Sequence, residues 1–498
     1  MTTLLRDLRL ARIGGLLALA LLAGLAVLGL RGGRALAAGK RPNVLVVMTD
    51  DQRADDMWVL RHVREDLAAR GVTFERFYAT VPLCCPSRVG FLTGDYAHNT
   101  NVTGNKADTG CGRSTVLGVD PLGTALQDAG YRTGYFGKYL NGYSGFAKAD
   151  PSAIPPGWDR WFAFTHQIKG STRIWSADDQ GEIRTFRRYP TSVLGRKAGS
   201  YIERSARRGD PFFVTVATHS PHLDRPPTPP GIPNPRPAPR DLGAFAGIPL
   251  PQPPSFNERD VSDKPPFLRF PRLDSSQLTR LRKHYEGRLE SLLSVDRMVH
   301  HLVGVLRQAG ELRNTWIIFW SDNGYLLGEH RLMRKRVLYE EAARVPLVIR
   351  APAGELPRGA RRHQIAGNID LAPTIYDITG VAPPGAEDGI SLLPLARSRS
   401  AARKREILLE NLSRTGVTSR QVRAPGWAYT EHDTDADGAA DAFELYDMRR
   451  DPYQLRNRYE ASLDVARNPD LAAARARLAA RLAALAHCAG HGPPDPCD

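Results

Sequence analysis

The chain has 498 residues, of which 42% are hydrophobic and 24% charged, a composition typical of a soluble globular enzyme with ample material for a core. Its 68 lysines and arginines outnumber 53 acidic residues and give a formal charge of +15, which suits an acidic substrate, a membrane surface or nucleic acid. The basic residues are scattered along the chain and no basic cluster is interleaved with aromatic residues, so no nucleic-acid partner is expected.

The N-terminal segment predicts export. Three arginines precede an apolar run from Ile13 to Leu30, and a small-x-small sequence ends at Ala37. This is the pattern of a secretory signal peptide over residues 1–37. The apolar run is also long enough for an uncleaved membrane anchor. The protein is therefore expected either to be secreted, or to lie outside the cytoplasm and be anchored to the membrane by this segment.

A buried strand is predicted over residues 41–48, because residues 44–48 form a continuous apolar run. Asp50 and Asp51 follow it directly, at the strand edge where α/β folds place ligands. A helix N-cap would explain one aspartate, but two adjacent carboxylates repel each other unless a cation holds them.

The stretch from Val81 to Gly94 carries the most informative motif. Two prolines bracket the adjacent Cys84 and Cys85, and an apolar, helix-compatible run follows Arg88. The motif places a thiol at or just before a helix N-terminus, where free N–H groups favour an anion and Arg88 can reach back. From the residues alone, two buried core cysteines explain the pattern equally well.

The spacing Cys84-x-Pro86-x-Arg88, followed by residues 92–94 (Leu-Thr-Gly), resembles the signature of the type I sulfatases. In that family the first cysteine of the motif is oxidised to formylglycine before folding. The resemblance therefore implies that Cys84, not Cys85, is modified by a formylglycine-generating enzyme. It also implies an alkaline-phosphatase-like α/β fold: a large, mostly parallel mixed sheet flanked by helices, with a small C-terminal antiparallel sheet.

If Cys84 is consumed in this way, four cysteines remain and suit an exported chain. Cys488 and Cys497 would close a short C-terminal loop, which leaves Cys85 and Cys111 as a second pair. A metal site built from Cys84, Cys85 and Cys111 is the alternative, but its spacing matches no zinc pattern.

A helix over 122–129 and a strand over 131–136 lead to Lys138. A lone lysine after a strand is usually exposed to solvent. In the resembled family, however, a lysine follows this glycine and contacts the substrate sulfate. Many sulfatases have a histidine two positions later; here Leu140 stands there and Asn141 follows, as in the glucosamine-6-sulfatase branch.

Another apolar strand, over 211–218, ends before His219 and His222. Histidine suits proton transfer or a sulfate contact near neutral pH. By register with the family, His222 is the better match and His219 the second choice. The proline-rich segment 223–273 that follows lacks periodicity and is expected to be a long surface loop, either shaping substrate choice or passive.

A long amphipathic helix over 276–309 precedes a buried strand over 315–320, after which come Asp322 and Asn323. Asp-Asn-Gly is a common turn sequence. Here, however, Asp322 and Asn323 form a second polar pair at the end of a buried strand, after the pair Asp50 and Asp51. Lys335 lies in a basic run and occupies the position of the family's second sulfate-binding lysine. The family's Ca²⁺ ligands fall on the following residues: Asp50, Asp51, Cys84, Asp322 and Asn323.

The composition changes near residue 400, and two strands, over 426–431 and 443–448, indicate the family's small C-terminal sheet. The acidic spacing over 433–444 fits an EF-hand calcium loop, but the flanking strands favour a polar hairpin tip. Residues 471–487 form an amphipathic helix expected to pack on the body. The chain is expected to comprise a signal or anchor (1–37), a catalytic domain (38–400), a C-terminal subdomain (401–470) and a helix with a tail (471–498).

The resemblance extends over residues 41–456 and is greatest to the N-acetylglucosamine-6-sulfatase and heparan endosulfatase branch. It implies hydrolysis of a sulfate monoester, carried by a sulfated sugar or small molecule, through a formylglycine hydrate and a covalent sulfo-enzyme intermediate. Calcium, Lys138, Lys335 and His222 would neutralise the sulfate, Arg88 would orient the hydrate, and His222 or His219 would protonate the leaving alcohol. Two alternatives are a phosphomonoester or phosphonate ester hydrolase of the same fold, and a non-catalytic polyanion-binding protein with an unmodified Cys84.

Overall fold

The structure is a computed structural model that describes residues 40–118, 121–165, 174–224, 234–399, 405–413, 416–459, 469–490 and 497. The predicted signal peptide or anchor lies outside these residues. From Pro42 onward the described residues belong to one compact unit. None of the helices in the described ranges combines the length and the apolar character needed to cross a membrane.

The described residues form strands that we number in chain order. They are β1 (Asn43–Thr49), β2 (Val72–Tyr78), β3 (Arg132–Gly137), β4 (Arg160–Phe164), β5 (Trp175–Asp179), β6 (Ile183–Phe186), β7 (Phe212–Ala217), β8 (Thr315–Ser321), β9 (Leu326–Leu327), β10 (Met333–Arg334), β11 (Leu347–Arg350), β12 (Ala360–Gly367), β13 (Ile407–Asn411), β14 (Thr418–Ala424), β15 (Trp427–Asp433) and β16 (Ala442–Asp447).

The helices are α1 (Cys84–Thr93), α2 (Ala97–Thr100), α3 (Arg113–Gly118), α4 (Pro121–Asp128), α5 (Tyr143–Ala149), α6 (Pro190–Arg208), α7 (Ser275–Gln308), α8 (Glu340–Ala343), α9 (Leu371–Thr379), α10 (Leu393–Arg397) and α11 (Pro469–Leu485). Shorter helical turns lie at Ala54–Val59, Val63–Leu67, Ala68–Arg70, Ala107–Thr109, Pro266–Leu268, Leu312–Asn314 and Asn368–Asp370.

Ten strands form one sheet in the order β12-β2-β11-β8-β1-β7-β3-β4-β5-β6. The central run β8-β1-β7-β3-β4 is parallel throughout, whereas β11 runs antiparallel to both of its neighbours and β5 and β6 form an antiparallel edge. The predicted large, mostly parallel mixed sheet is confirmed.

Strand β1 shows why its apolar run is continuous. Val44 and Val46 face one core, which includes Phe91 of α1. Leu45 faces the opposite core, which includes Leu292 of α7. Successive side chains of a strand point to opposite faces, so a strand covered by helices on both faces must be apolar at every position.

The small C-terminal sheet is also confirmed, in the antiparallel order β13-β14-β15-β16. Sequence reasoning found only β15 and β16, because the first four residues of β14 are all polar and β13 lies beside the basic segment near residue 400. Helix α11 packs on this sheet as expected: Leu478 and Leu482 share a core cluster with Val422 and Leu445.

The acidic segment over 433–444 forms the tip of the β15–β16 hairpin. Asp433 accepts hydrogen bonds from the N–H groups of Ala436 and Gly438. Glu444, the residue at the last ligand position of an EF-hand loop, is instead buried and accepts hydrogen bonds from the hydroxyls of Tyr339 and Tyr446. The segment is therefore a polar hairpin tip without the EF-hand arrangement.

Candidate active site

The side chains predicted to form the site follow the carboxyl ends of four adjacent parallel strands. In the sheet these strands lie side by side in the order β8-β1-β7-β3. Asp322 follows β8, Asp50 follows β1, His219 follows β7 and Lys138 follows β3. Because parallel strands end at the same edge of a sheet, residues distant in sequence meet there.

The aspartate pair after β1 is joined to the loop after β8. The Asp51 N–H donates to Asp322 Oδ1 at 3.1 Å, and Asn323 Nδ2 donates to Asp51 Oδ1 at 2.7 Å. Asp51 has a φ of 68°, a left-handed conformation that costs a non-glycine residue about 1 kcal/mol or more. These contacts hold the strained backbone in place.

Cys84 is the first residue of α1, as the motif predicts. Its Sγ lies 3.5 Å from Asp50 Oδ1, and the residue is only 1% exposed. Burial raises the pKa of the thiol to about 11. At neutral pH Cys84 therefore carries a protonated thiol rather than a reactive thiolate.

The other four cysteines are paired as expected. Cys85 is bonded to Cys111, and Cys488 is bonded to Cys497. Cys84 is left as the free cysteine. A metal site built from Cys84, Cys85 and Cys111 is excluded, because two of its members are joined to each other.

Arg88, one turn into α1, organises the base of the site. Its Nε donates to Asp322 Oδ2 at 2.8 Å, and its Nη1 donates to the backbone carbonyl of Lys138 at 2.5 Å. Burial opposes the charged form, but Asp322 and Asp50 outweigh it and raise the pKa of Arg88. Arg88 thus connects the loops after β8 and β3.

Lys138 reaches the site through a sharp bend at Gly137. Gly137 has a φ of 120°, and a Cβ at that position would lie 1.8 Å from the Ala217 carbonyl oxygen, so only glycine fits there. The ammonium group of Lys138 donates to Asp50 Oδ2 at 2.5 Å. Burial opposes the charge, but Asp50 raises the pKa of Lys138.

Lys335 approaches from the other side, just after β10. Its Nζ lies 2.9 Å from Cys84 Sγ and 3.3 Å from Asn323 Oδ1, and it forms an ion pair with Asp51. Burial opposes the charge, but Asp51 raises the pKa of Lys335. Both predicted sulfate-binding lysines therefore lie beside Cys84 and the acidic pair.

Both candidate histidines also reach the acidic pair. His219 Nδ1 is 3.8 Å from Asp50 Oδ2, and His222 Nε2 is 3.8 Å from Asp51 Oδ2. His222 Nδ1 lies 2.7 Å from the Leu223 carbonyl oxygen, which identifies Nδ1 as the protonated nitrogen of the neutral ring. Burial lowers the pKa of each imidazole to about 3.

The donor set suits a hard divalent cation. Asp50, Asp51 and Asp322 supply carboxylate oxygens and Asn323 an amide oxygen, the ligands that such ions prefer. Single ligand atoms of Asp50, Asp51, Cys84 and His222 lie within 4.8 Å of one another. The ammonium groups of Lys138 and Lys335 contact two of these carboxylates, which shows that the negative potential is concentrated there. The cluster can therefore hold a metal ion.

Asn141 is the predicted site residue that the structure does not join to this cluster. Among the described residues, no hydrogen bond links its side chain to the acidic pair or to Cys84, and its Oδ1 is buried without a hydrogen-bond partner. Leu140, at the position where many sulfatases have histidine, is buried in the core.

Sequence reasoning missed Arg288, a fully buried residue of α7. Its Nη2 donates to the Asp51 carbonyl at 2.5 Å, and its guanidinium lies 4.5 Å from the ring centroid of Tyr325. Arg288 therefore fixes the strained Asp51. An arginine on the apolar face of a long helix was the signal that could have identified it.

Comparisons with known proteins agree with this arrangement. A model of the sulfatase family matches residues 42–381, and a model of the N-sulphoglucosamine sulphohydrolase C-terminal region matches residues 328–484. The chain therefore belongs to the sulfatase family, a family of sulfuric ester hydrolases.

Two relatives identify the branch. Human N-acetylglucosamine-6-sulfatase is 34% identical over 385 residues, covering 73% of this chain and 66% of that protein. A putative extracellular sulfatase Sulf-1 homolog of Caenorhabditis elegans is 33% identical over 374 residues, covering 73% of this chain but 50% of that protein. The chain thus spans half to two thirds of the length of these relatives. The predicted branch resemblance is confirmed.

Solved structures share the fold. One, described as a complex with its substrate D-glucosamine-2-N,6-O-disulfate, has a TM-score of 0.71 at 23% identity and covers 89% of this chain and 97% of its own. A phosphonate monoester hydrolase from Silicibacter pomeroyi has a TM-score of 0.65 at 22% identity, covering 89% and 94%. These likenesses confirm the predicted fold class.

Proposed function

We propose that this chain is an exported sulfatase that hydrolyses the sulfate monoester of a sulfated sugar resembling N-acetylglucosamine-6-sulfate. The observation that carries the proposal is the meeting of two lysines with the acidic pair beside Cys84. Lys335 contacts Cys84 and pairs with Asp51, and Lys138 contacts Asp50. The name of the human relative supports the choice of sugar.

A sulfate monoester is a stable anion that repels nucleophiles, so its charge must be neutralised before attack. Lys138 and Lys335 would bind the sulfate oxygens, because the Lys335 ammonium contacts Cys84 and the Lys138 ammonium contacts Asp50, which itself contacts Cys84. Fixed cations in a buried site stabilise charge that develops in the transition state and need no reorganisation. The lysines thus act on the transferring group.

Formylglycine derived from Cys84 would, as its hydrate, supply one hydroxyl for attack on sulfur and a second for release of the sulfate. Ca²⁺ held by Asp50, Asp51, Asp322 and Asn323, with the modified residue 84, would supply Lewis-acid charge. Arg88 would hold these groups in register through Asp322 and the carbonyl of residue 138.

His222, with His219 as the second choice, would donate a proton to the leaving alcohol. Each ring is buried and lies near the acidic pair. Burial keeps both rings neutral in the free protein, so the role requires that the negative charge of the bound sulfate raises the pKa of the ring and protonates it. Asn141 stays a predicted substrate contact, supported by its buried amide oxygen without a hydrogen-bond partner.

We further propose export through residues 1–37, followed by a catalytic unit over 38–400, a C-terminal subdomain over 401–470 and the helix and tail. The charged, apolar and small-residue order of the first segment supports the export, as does the name of the nematode relative, an extracellular sulfatase homologue.

The maturation of Cys84 is the first test. Trypsin releases residues 77–88 as one peptide after reduction. Protein co-expressed with a formylglycine-generating enzyme is expected to give this peptide with the mass of the aldehyde or its hydrate. A thiol that persists under these conditions would contradict the proposed chemistry and favour a polyanion-binding protein.

The second test is substrate class. The matured protein is expected to release sulfate from N-acetylglucosamine-6-sulfate with a higher kcat/KM than phosphate from the 6-phosphate. Preference for the phosphate would identify a phosphomonoester hydrolase of the same fold. Cys84→Ala prepared in the same way is the control for contaminating hydrolases.

A further inference from the structure

Two adjoining cavities lie beside the histidine pair. The first, of about 420 Å³, is lined in part by His219 and His222. The second has a volume of about 730 Å³. Arg187, Arg188 and Arg196 line both cavities, so the two adjoin, and the first of them reaches the candidate catalytic site.

We name this space the arginine groove. It comprises both cavities and the following side chains: Arg187, Arg188, Arg196, Arg236 and Arg240. The cavities of about 420 Å³ and 730 Å³ each lie within the range of about 300–1,000 Å³ that is typical of pockets for whole drug-sized ligands. The groove therefore has room for more than one sugar ring.

One wall of the groove is built by the link between β6 and α6. Arg187 and Arg188 follow β6, and Arg196 projects from α6. The Trp175 Nε1–H donates to the Arg188 carbonyl at 2.8 Å, which ties this link to β5. The wall is therefore a short link, held between β6 and α6 and tied to β5, and it is positioned before any ligand arrives.

The opposite wall is the proline-rich segment Asn234–Arg240, in which residues 235, 237 and 239 are prolines. The Arg236 N–H donates to Asp224 Oδ2 at 2.9 Å, and the Tyr189 hydroxyl donates to the Arg236 carbonyl at 3.2 Å. Prolines and hydrogen bonds limit the freedom of this segment, so Arg236 and Arg240 face the groove from a pre-organised backbone.

The groove carries more positive than negative charge, because Asp224 is the one carboxylate among the described residues that line its two cavities, against the five arginines that define it. Within the described ranges, Arg187, Arg188, Arg196 and Arg240 form no ion pair. By contrast, Arg160 and Lys197, which line only the second cavity, both pair with Asp179. Burial and the neighbouring Arg188 lower the pKa of Arg196, as expected for a cation beside another cation.

We propose that the arginine groove binds anionic groups of a sulfated glycan chain beyond the sulfate that is hydrolysed, so that the substrate is a polyanionic oligosaccharide rather than a monosaccharide. This inference rests on the proposed sulfatase function. Guanidinium groups match sulfate and carboxylate oxygens in a bidentate geometry, and unpaired arginines at one end of a catalytic cleft concentrate anionic ligands.

The shape favours a glycan over a membrane surface. The arginines line a concave space between two walls, which a flexible chain can enter and a flat bilayer cannot. The space is also continuous with His219 and His222, so a chain lying in it would present one of its sulfates to the catalytic residues.

Direct binding tests the groove independently of turnover. We would titrate a heparin-derived tetrasaccharide and N-acetylglucosamine-6-sulfate into full-length Cys84→Ser protein by calorimetry, at low and high salt. The tetrasaccharide is expected to bind at least tenfold more tightly at low salt and to lose this advantage at high salt. Equal affinity for the two sugars would overturn the proposal.

Two variants in the Cys84→Ser background locate the binding. Arg187→Ala combined with Arg196→Ala is expected to weaken tetrasaccharide binding by about tenfold per arginine removed. Arg313→Ala is the matched control, because Arg313 is exposed at the amino end of β8, opposite the site. Equal weakening per arginine removed in the two proteins would overturn the proposal, because the effect would then come from net charge alone.

Turnover separates this inference from the proposed function. Matured wild-type protein is expected to have a higher kcat/KM for the tetrasaccharide than for the monosaccharide, and the arginine double variant is expected to reduce that ratio. Turnover with equal kcat/KM for the two sugars would overturn the proposal that the groove binds the glycan, while the proposed sulfatase activity would stand. Tight, salt-dependent binding without any sulfate release would overturn the proposed sulfatase activity, while glycan binding by the groove would stand.

Discussion

The ammonium nitrogen of Lys335 lies 2.9 Å from the sulfur of Cys84, although 251 residues separate them in the chain. Lys335 follows β10, and Cys84 begins α1. The same ammonium group pairs with Asp51. One cation therefore touches both the residue proposed for maturation and one of the proposed metal ligands.

Cys84→Ser is expected to abolish sulfate release while the protein remains folded. Serine is nearly isosteric with cysteine but provides only one hydroxyl, which would stay sulfated after the first attack. Sulfate release and circular dichroism, measured on the same preparation, check both parts. Normal turnover by this variant would refute the proposed mechanism.

Lys335→Ala is expected to lower kcat/KM for the sulfate ester by about 10²–10³-fold, because one fixed cation at the transferring group is lost. Lys335→Arg should recover part of this loss, since it keeps the charge but changes its geometry. Lys283→Ala is the control, because that side chain is 52% exposed on α7. Similar losses in the Lys335→Ala and Lys283→Ala proteins would argue against a role in the site.

Calcium is expected to raise the melting temperature, because binding to the native state alone adds about 2.7 kcal/mol at about 100 times Kd. Asp51→Asn should remove most of this shift by taking one charge from the ligand set. Asp435→Asn, at the exposed β15–β16 hairpin tip, tests the second acidic cluster, in which Asp433, Asp435 and Asp437 could also hold a metal ion. A shift abolished by the Asp435 change and kept by the Asp51 change would place the calcium at the hairpin.

Glu387 is expected to make the protein less stable as pH rises. Burial, followed by Asp95 and Asp370, raises its pKa from 4.5 to about 8, and its Oε1 is buried without a hydrogen-bond partner among the described residues. The folded state therefore holds this proton more tightly than the unfolded chain does. The contribution of Glu387 to stability is complete below pH 4.5 and is lost as pH rises through 8.

Glu387→Gln should remove that dependence and stabilise the protein by about 1–3 kcal/mol above pH 8 relative to the native sequence. Urea unfolding of both proteins at pH 5 and pH 9 measures the difference. If the unfolding free energies of the Glu387→Gln protein and the native sequence differ by the same amount at pH 5 and pH 9, Glu387 does not titrate in this range.

The acidic residues at the strand ends could be predicted from sequence because each follows a continuous apolar run. Such runs identify buried parallel strands, and their carboxyl ends must share one edge. This reasoning reached Asp50 and Asp322. Lys138 follows a strand that contains polar residues, and its role, like the choice of His222, came from the resemblance to the sulfatases.

Contacts made across the chain could not be predicted in the same way. Arg288 supports Asp51 from a helix more than 200 residues away, and no local pattern marks such a pair. The arginine groove combines two segments that are separated in sequence by β7, so the cluster exists only after folding. Strand β14 was missed because its polar positions conceal the alternation that a half-buried strand shows.

The burial of Cys84 has a consequence for how the protein is made. The residue is 1% exposed, so a modifying enzyme reaches it only while the segment around it is still extended. Maturation is then a competition between two rates, oxidation of the nascent chain and closure of the sheet. A molecule that closes first keeps its thiol for its lifetime. The specific activity of a preparation would record how that competition ended in the cells that made it.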